Sequence, residues 1–159
     1  MMKYVVLFAV LCGFAAALQM PCNNCKSSKL PTAKALPGAT GTCNYVVVEP
    51  CSSQPCDLKK GTNVTFQVNF TPNQASSKLT SEVYGIINKI PVKFPLPNPD
   101  GCQGSGITCP VAAGQTYTYQ DNLFIQNIYP SISVVVQWSL KDENGNPIFC
   151  VLVPARIVS

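Results

Sequence analysis

Apolar and polar residues alternate from Asn63 to Phe70. Val64, Phe66, Val68 and Phe70 fall on one face, and Asn63, Thr65, Gln67 and Asn69 on the other. A period of two marks a strand with one buried face. Ile132, Val134, Val136, Trp138 and Leu140 repeat the pattern over 131–140, and 148–158 is apolar on both faces around Cys150 to Val153. Shorter runs at 45–48, 79–87, 92–94 and 116–119 complete a set of about seven predicted strands. Turn sequences separate them: Pro97 to Gly101, Ala113-Gly114, Asp121-Asn122, and Asn144 to Pro147, where Asn144-Gly145 reads as a hairpin connection. Helical periodicity is hard to find, and there are no internal repeats. The pattern predicts an all-β chain, a sandwich of immunoglobulin-like type built from two antiparallel sheets.

The first residues follow another pattern. Lys3 precedes an apolar run from Tyr4 to Phe14, interrupted only by Gly13, and Ala15, Ala16 and Ala17 follow. The run is too short to span a bilayer and ends in the small residues a signal peptidase needs. Residues 1–17 therefore read as a signal peptide, 18–42 as a loose N-terminal extension, and 43–159 as the folded domain.

Cysteine usage agrees with passage through an oxidising compartment. Of nine cysteines, Cys12 falls in the signal; Cys22, Cys25, Cys43, Cys51, Cys56, Cys102, Cys109 and Cys150 remain. An even number in a short secreted chain reads as a disulfide framework. Cys22-Asn23-Asn24-Cys25 has the spacing of a metal or redox motif. With no histidine and no second such pair, the ligand set for zinc is missing, and the motif does not follow a strand of a βαβ unit. No metal and no cofactor is expected.

The lack of histidine also removes the Ser-His-Asp and Cys-His arrangements of nucleophilic catalysis. The seven acidic residues mostly sit beside Gly, Pro or Asn in predicted turns, which suits solvated turn positions better than paired catalytic carboxylates. The net charge of +4, less Lys3, is mild and its lysines are scattered, so nucleic acid is not an expected partner; an anionic membrane surface is weakly favoured. Two glycosylation sequons, at Asn63 and Asn69, put both asparagines on the polar face of one strand.

Pro91, Pro95, Pro97 and Pro99 make the segment from Ile90 to Cys102 stiff, extended and poor in backbone donors. It carries Phe94 and Leu96, and a second apolar cluster follows at Leu123, Phe124 and Ile125. The chain is 47% hydrophobic and only 11% charged, against about 25% charged in an average domain. A dense core or a sandwich splayed around an apolar cavity would each use that surplus.

Several motifs, in order, resemble those of the ML-domain lipid-recognition family: Glu49–Gly61 (EPCSSQPCDLKKG), Tyr84–Ile87 (YGII), Pro91–Cys102 (PVKFPLPNPDGC), Gly106–Pro110 (GITCP), Tyr129–Ile132 (YPSI), Val135–Trp138 (VVQW), and Ile148–Cys150 through Pro154 to Ile157–Ser159. The match spans about residues 43–159. The resemblance implies two sheets around a sterol cavity and no enzyme activity. It implies pocket roles for Phe94, Ile125 and Tyr129, with Trp138 deep in the sandwich; Val68, Leu96 and Phe124 join the candidate ligand-binding set. It implies local bridges Cys51–Cys56 and Cys102–Cys109, a long bridge Cys25–Cys150 and an extra one, Cys22–Cys43, with swaps among Cys22, Cys25 and Cys43 left open.

The implied function is a monomeric carrier, secreted or in the lysosomal lumen, that exchanges a sterol with membranes or a membrane sterol transporter. The segment Tyr84, Gly85, Ile86 and Ile87 is the implied docking rim. Asn88-Lys89 departs there from the small or apolar residues of the family. A carrier of fatty acids or other small apolar signals, and an innate-immunity lipid-recognition accessory protein, are the rival readings.

Overall fold

The computed structural model describes residues 16–25 and 39–159; most of the expected signal peptide and half of the expected extension lie outside them. The described residues form nine strands and two sheets. One sheet has four strands, in the order β1 (Leu18–Met20), β2 (Gly41–Glu49), β4 (Asn63–Pro72) and β7 (Tyr117–Phe124). The other has five, in the order β3 (Cys56–Lys59), β9 (Pro147–Val158), β8 (Ser133–Lys141), β5 (Thr80–Ile87) and β6 (Ile90–Phe94).

The expected two-sheet all-β fold is present, with three corrections. Two strands, β1 and β3, have no counterpart among the seven predicted, because three or four residues are too few to carry a period-two signal. The pairing of β3 with β9 is parallel, so the sheets are not purely antiparallel. Asp121-Asn122, read as a turn, continues β7: Asn122 pairs with Thr65, and its side-chain oxygen accepts a 2.7 Å bond from the Thr65 hydroxyl. Asn and Asp are disfavoured in strands, but cross-strand partners override the propensity.

The expected extension is also partly structural. Leu18 to Met20 pair with Val48 to Val46, and Gly41-Thr42 open β2. Cys22 is bonded to Cys43 and Cys25 to Cys150, so this segment is stapled across the sandwich. Cys51–Cys56 and Cys102–Cys109 close local loops. All four pairings are those the resemblance implies.

The hairpin between β5 and β6 turns on two residues, Asn88 and Lys89, with φ of 48° and 69°. Two consecutive left-handed residues make the turn whose twist matches that of the flanking strands. The connection of β8 to β9 is longer, 142–146. The Asp142 carboxylate accepts from the backbone of Asn144 and Asn146, and Gly145 takes a φ of 80°.

The two sheets do not fill the space between them uniformly. One half is packed with aromatic rings. Phe66 and Phe70 of β4 and Tyr119 of β7 meet Trp138 of β8 and Phe149 of β9, with ring centres 5.2 to 6.1 Å apart. The outer face of β4 is polar: Gln67 bonds Gln120, Asn69 bonds Thr118, and Thr71 bonds Thr116 across to β7 and its approach. Asn63 is exposed at the start of β4, whereas Asn69 is half-buried within this ladder and also accepts from Asn44.

Candidate functional site

The other half of the sandwich holds an apolar cavity of about 410 Å³. Val83, Gly85 and Ile87 from β5, Val134 and Val136 from β8, and Val92 and Phe94 from β6 form one wall. These positions alternate along neighbouring strands, so the same pleat that makes each strand amphipathic aims them at one space. Leu58 of β3 and Ile157 of β9 close one end. The four-stranded sheet contributes only Leu123, with Ile125 just beyond β7. Tyr129, Pro130 and Ile132, from the connection between β7 and β8, add to the lining.

The mouth lies where β6 meets that connection. The Phe94 and Tyr129 rings face each other edge-on there, 6.1 Å apart. Burial pushes the Tyr129 hydroxyl above the ordinary tyrosine value, so the ring is neutral at physiological pH. Around the mouth, large apolar side chains stand in water: Ile90 is 64% exposed, Val92 51% and Ile128 83%. Lys93 borders the opening, and Lys89 sits at the tip of the same hairpin.

Of the seven residues expected to bind a ligand, the structure brings Phe94, Ile125 and Tyr129 to this one cavity. It puts the other four elsewhere. Trp138 lies one inward-facing position beyond Val136 on β8, in the packed aromatic half, 1% exposed. Val68 sits between Phe66 and Phe70 on β4, over the same filled half. Leu96 lies beyond the end of β6 and packs partly buried against the core. Phe124 alternates with Leu123 and Ile125 and so points outward, 48% exposed.

The expected docking segment divides in the same way. Gly85 and Ile87 share the lining face with Val83, opposite Val92 and Ile90. A Cβ at position 85 would come within 3.2 Å of Val134 Cγ2, so glycine there leaves the wall open. Tyr84 also borders the cavity. Ile86 belongs to the opposite face of β5 and is buried in a shallow depression with Pro55, Val135 and Pro154.

Sequence reasoning missed Leu58, Val83, Val134, Val136 and Ile157. The alternation of 131–140 did identify the face that Val134 and Val136 share with Trp138; where along that face packing stops and the cavity begins has no sequence signal. Among the described residues no cluster of three potential metal ligands occurs, and no helix is long and apolar enough to cross a membrane.

The site is thus an apolar space whose described lining residues include no acid–base pair, an arrangement suited to holding an apolar molecule. Comparison with known proteins agrees. The ML-domain family model matches residues 19–157. The NPC intracellular cholesterol transporter 2 of Mus musculus is 42% identical over 119 residues, covering 75% of this chain and 79% of that protein. The Drosophila melanogaster NPC intracellular cholesterol transporter 2 homolog a is 34% identical and aligns over 99% of both chains. The Ecdysteroid-regulated 16 kDa protein of Manduca sexta is 35% identical over the same share. The crystal structure of a Niemann-Pick type C2 protein from Japanese carpenter ant superposes with a TM-score of 0.72 at 24% identity, covering 77% of this chain and 96% of that one, and so shares the fold. With two sheets, four disulfides and this sequence match, the chain belongs to the ML-domain family.

Proposed function

We propose that this protein is a sterol carrier, which holds one sterol in the cavity between its sheets and passes it to membranes or to a membrane receptor. The observation that carries the reading is the apolar space between the sheets, bordered by Phe94 and Tyr129. Its sequence relatives named as cholesterol transporters support the choice of ligand class. The driving force is desolvation. Several hundred Å² of sterol surface leaves water at about 25 cal/mol per Å², more than a few polar contacts would add. The inner wall is aliphatic and offers no hydrogen bond to a buried hydroxyl, so the sterol's polar end stays at the mouth.

The exposed Ile90, Val92 and Ile128 suit contact with a bilayer at the moment of exchange, and Lys89 and Lys93 suit an anionic one. Four disulfides fit a protein that works outside the cell or in the lysosomal lumen. The decisive experiment is native mass spectrometry of protein purified from its source, followed by extraction of the bound lipid. Recovery of an unmodified sterol supports the reading. Recovery of a fatty acid alone transfers it to the rival class, and an empty protein that fails to bind added cholesterol overturns it.

A further inference from the structure

The lining of the cavity runs as far as Val83 and Val136, and a buried hydroxyl, that of Ser81, lies just beyond it. Val83 and Val136 line the space. One inward position further on the same strands are Ser81 and Trp138, and Trp138 stands directly across from Val83 in the pairing of β5 with β8. The Trp138 indole N–H donates to Ser81 Oγ at 2.7 Å. The Tyr119 hydroxyl, reaching in from the other sheet, hydrogen-bonds the same Oγ at 2.9 Å and lies 3.2 Å from Asp121 Oδ2. Tyr119 has one proton for two oxygen neighbours, and the Ser81 proton makes up the difference, so the buried group of three side chains is saturated. Ser81 is only 2% exposed, so these bonds lie inside the sandwich.

We propose that Ser81 is a specificity-determining positioning residue: by tying Trp138 and Tyr119 together across the two sheets, it fixes the floor of the cavity and sets the longest apolar tail the cavity admits. This rests on the cavity being the lipid site. A tail that fits ends against Val83, Val136 and Leu123. A longer one has to displace the indole. Displacement breaks the bond to Ser81 and leaves a buried N–H and a buried hydroxyl without partners, a penalty that packing alone would not impose. Phe66 at 5.2 Å and Tyr119 at 5.9 Å back the indole on its other sides, so the ring has one geometry while Ser81 holds it. With alanine at 81 the indole N–H is unpaired already, and moving the ring costs no hydrogen bond.

The test is competition for a bound fluorescent sterol by three sterols: one without a side chain, cholesterol, and one whose side chain carries an extra ethyl group. Wild type, Ser81→Ala and Trp138→Phe are compared, the last keeping an aromatic ring while removing the N–H. The expected result is that both variants gain on the longest sterol relative to cholesterol by about tenfold, the scale of one or two methylenes in an apolar pocket, while the tail-less sterol is unmoved. A shift of equal size for all three sterols, or no change in their ratio, overturns the inference. Ile125→Trp, which fills the cavity from its other end, separates the two levels. If it binds sterol like wild type, the site itself is misplaced. If it abolishes binding while Ser81→Ala and Trp138→Phe leave the ratio unmoved, only the role of Ser81 fails. Should Ser81→Ala not fold, Ser81→Cys, which keeps the size of the side chain and weakens the acceptor, decides in its place.

Discussion

Phe94 and Tyr129 meet edge-on with ring centres 6.1 Å apart, although they come from an edge strand and from the opposite inter-sheet connection. Each is set up locally. Pro95 stiffens the backbone after Phe94, and Pro130 keeps Tyr129, which closes a turn with Gln126, out of helical backbone. Both rings border the cavity, which under the proposed function makes their contact the place where a ligand is expected to enter.

Truncation at the mouth should therefore affect ligand more than fold. Phe94→Ala and Tyr129→Ala are expected to weaken sterol binding while leaving the unfolding midpoint close to wild type. Phe66→Ala, which removes a ring packed 5.2 Å from Trp138, should instead cost about 3–5 kcal/mol. Denaturant titration paired with sterol titration checks both; a large loss of stability with normal binding at 94 and 129 would make them core residues.

Filling the cavity should do the opposite. Ile125→Trp places a large ring where Ile125 borders the open space. Binding should fall to background, with a melting temperature equal to or above wild type because the lining gains contacts. A melting temperature far below wild type would show that the site is too tightly packed to take the ring.

Alkaline pH should destabilise the aromatic half. Burial pushes the Tyr119 hydroxyl well above its ordinary value near 10; the Ser81 bond opposes the shift and the Asp121 charge adds to it. The folded state thus holds this proton more tightly than the unfolded chain. The stabilisation is complete below pH about 10 and is lost as pH rises from there towards the folded value. Melting temperature should fall above pH 10 in wild type and less steeply in Tyr119→Phe. Equal slopes in the two proteins would assign the alkaline loss to other groups.

The bridges should rank by the loops they close. Cys25–Cys150 spans 125 residues and Cys51–Cys56 only 5. Chain entropy predicts a loss of about 5 kcal/mol for the Cys25→Ser, Cys150→Ser double variant and about 2 kcal/mol for Cys51→Ser, Cys56→Ser. Equilibrium unfolding measures both, and the reverse order would contradict the ranking.

The apolar rim should matter for exchange and not for holding. Replacing Ile90 and Ile128, both largely exposed, by asparagine is expected to slow sterol transfer to anionic vesicles several-fold while equilibrium affinity stays unchanged. Unchanged transfer rates would remove the rim from the mechanism.

The strands were legible where they are long. The alternation in 63–70 and 131–140 gave both the element and its buried face, because a period of two held over eight residues matches the pleat of a strand and no helix. The strand at Leu18–Met20 and that at Cys56–Lys59 were not legible: each is stabilised by the neighbour it pairs with, Val46–Val48 and Ala155–Val158, which lie far away in sequence. Of the site, Phe94, Ile125 and Tyr129 were reached through motif resemblance. Phe124 shows the limit of reading an apolar cluster: three consecutive apolar residues at the end of a strand cannot all face inward, and the alternation turned the middle one to water.

By itself the sequence determined an all-β chain, an even set of cysteines fit for bridging, and the faces that must be buried, because each of these follows from local chemistry and short-range period. Only the tertiary structure decided that the aromatic rings of β4, β7, β8 and β9 fill one half of the sandwich while aliphatic side chains leave the other half open. Val136 and Trp138 lie on the same face of one strand, two residues apart, yet one borders the cavity and the other packs in the filled half. The difference is made by partners across the sheets, Ser81, Phe66 and Tyr119, which the chain brings together only on folding.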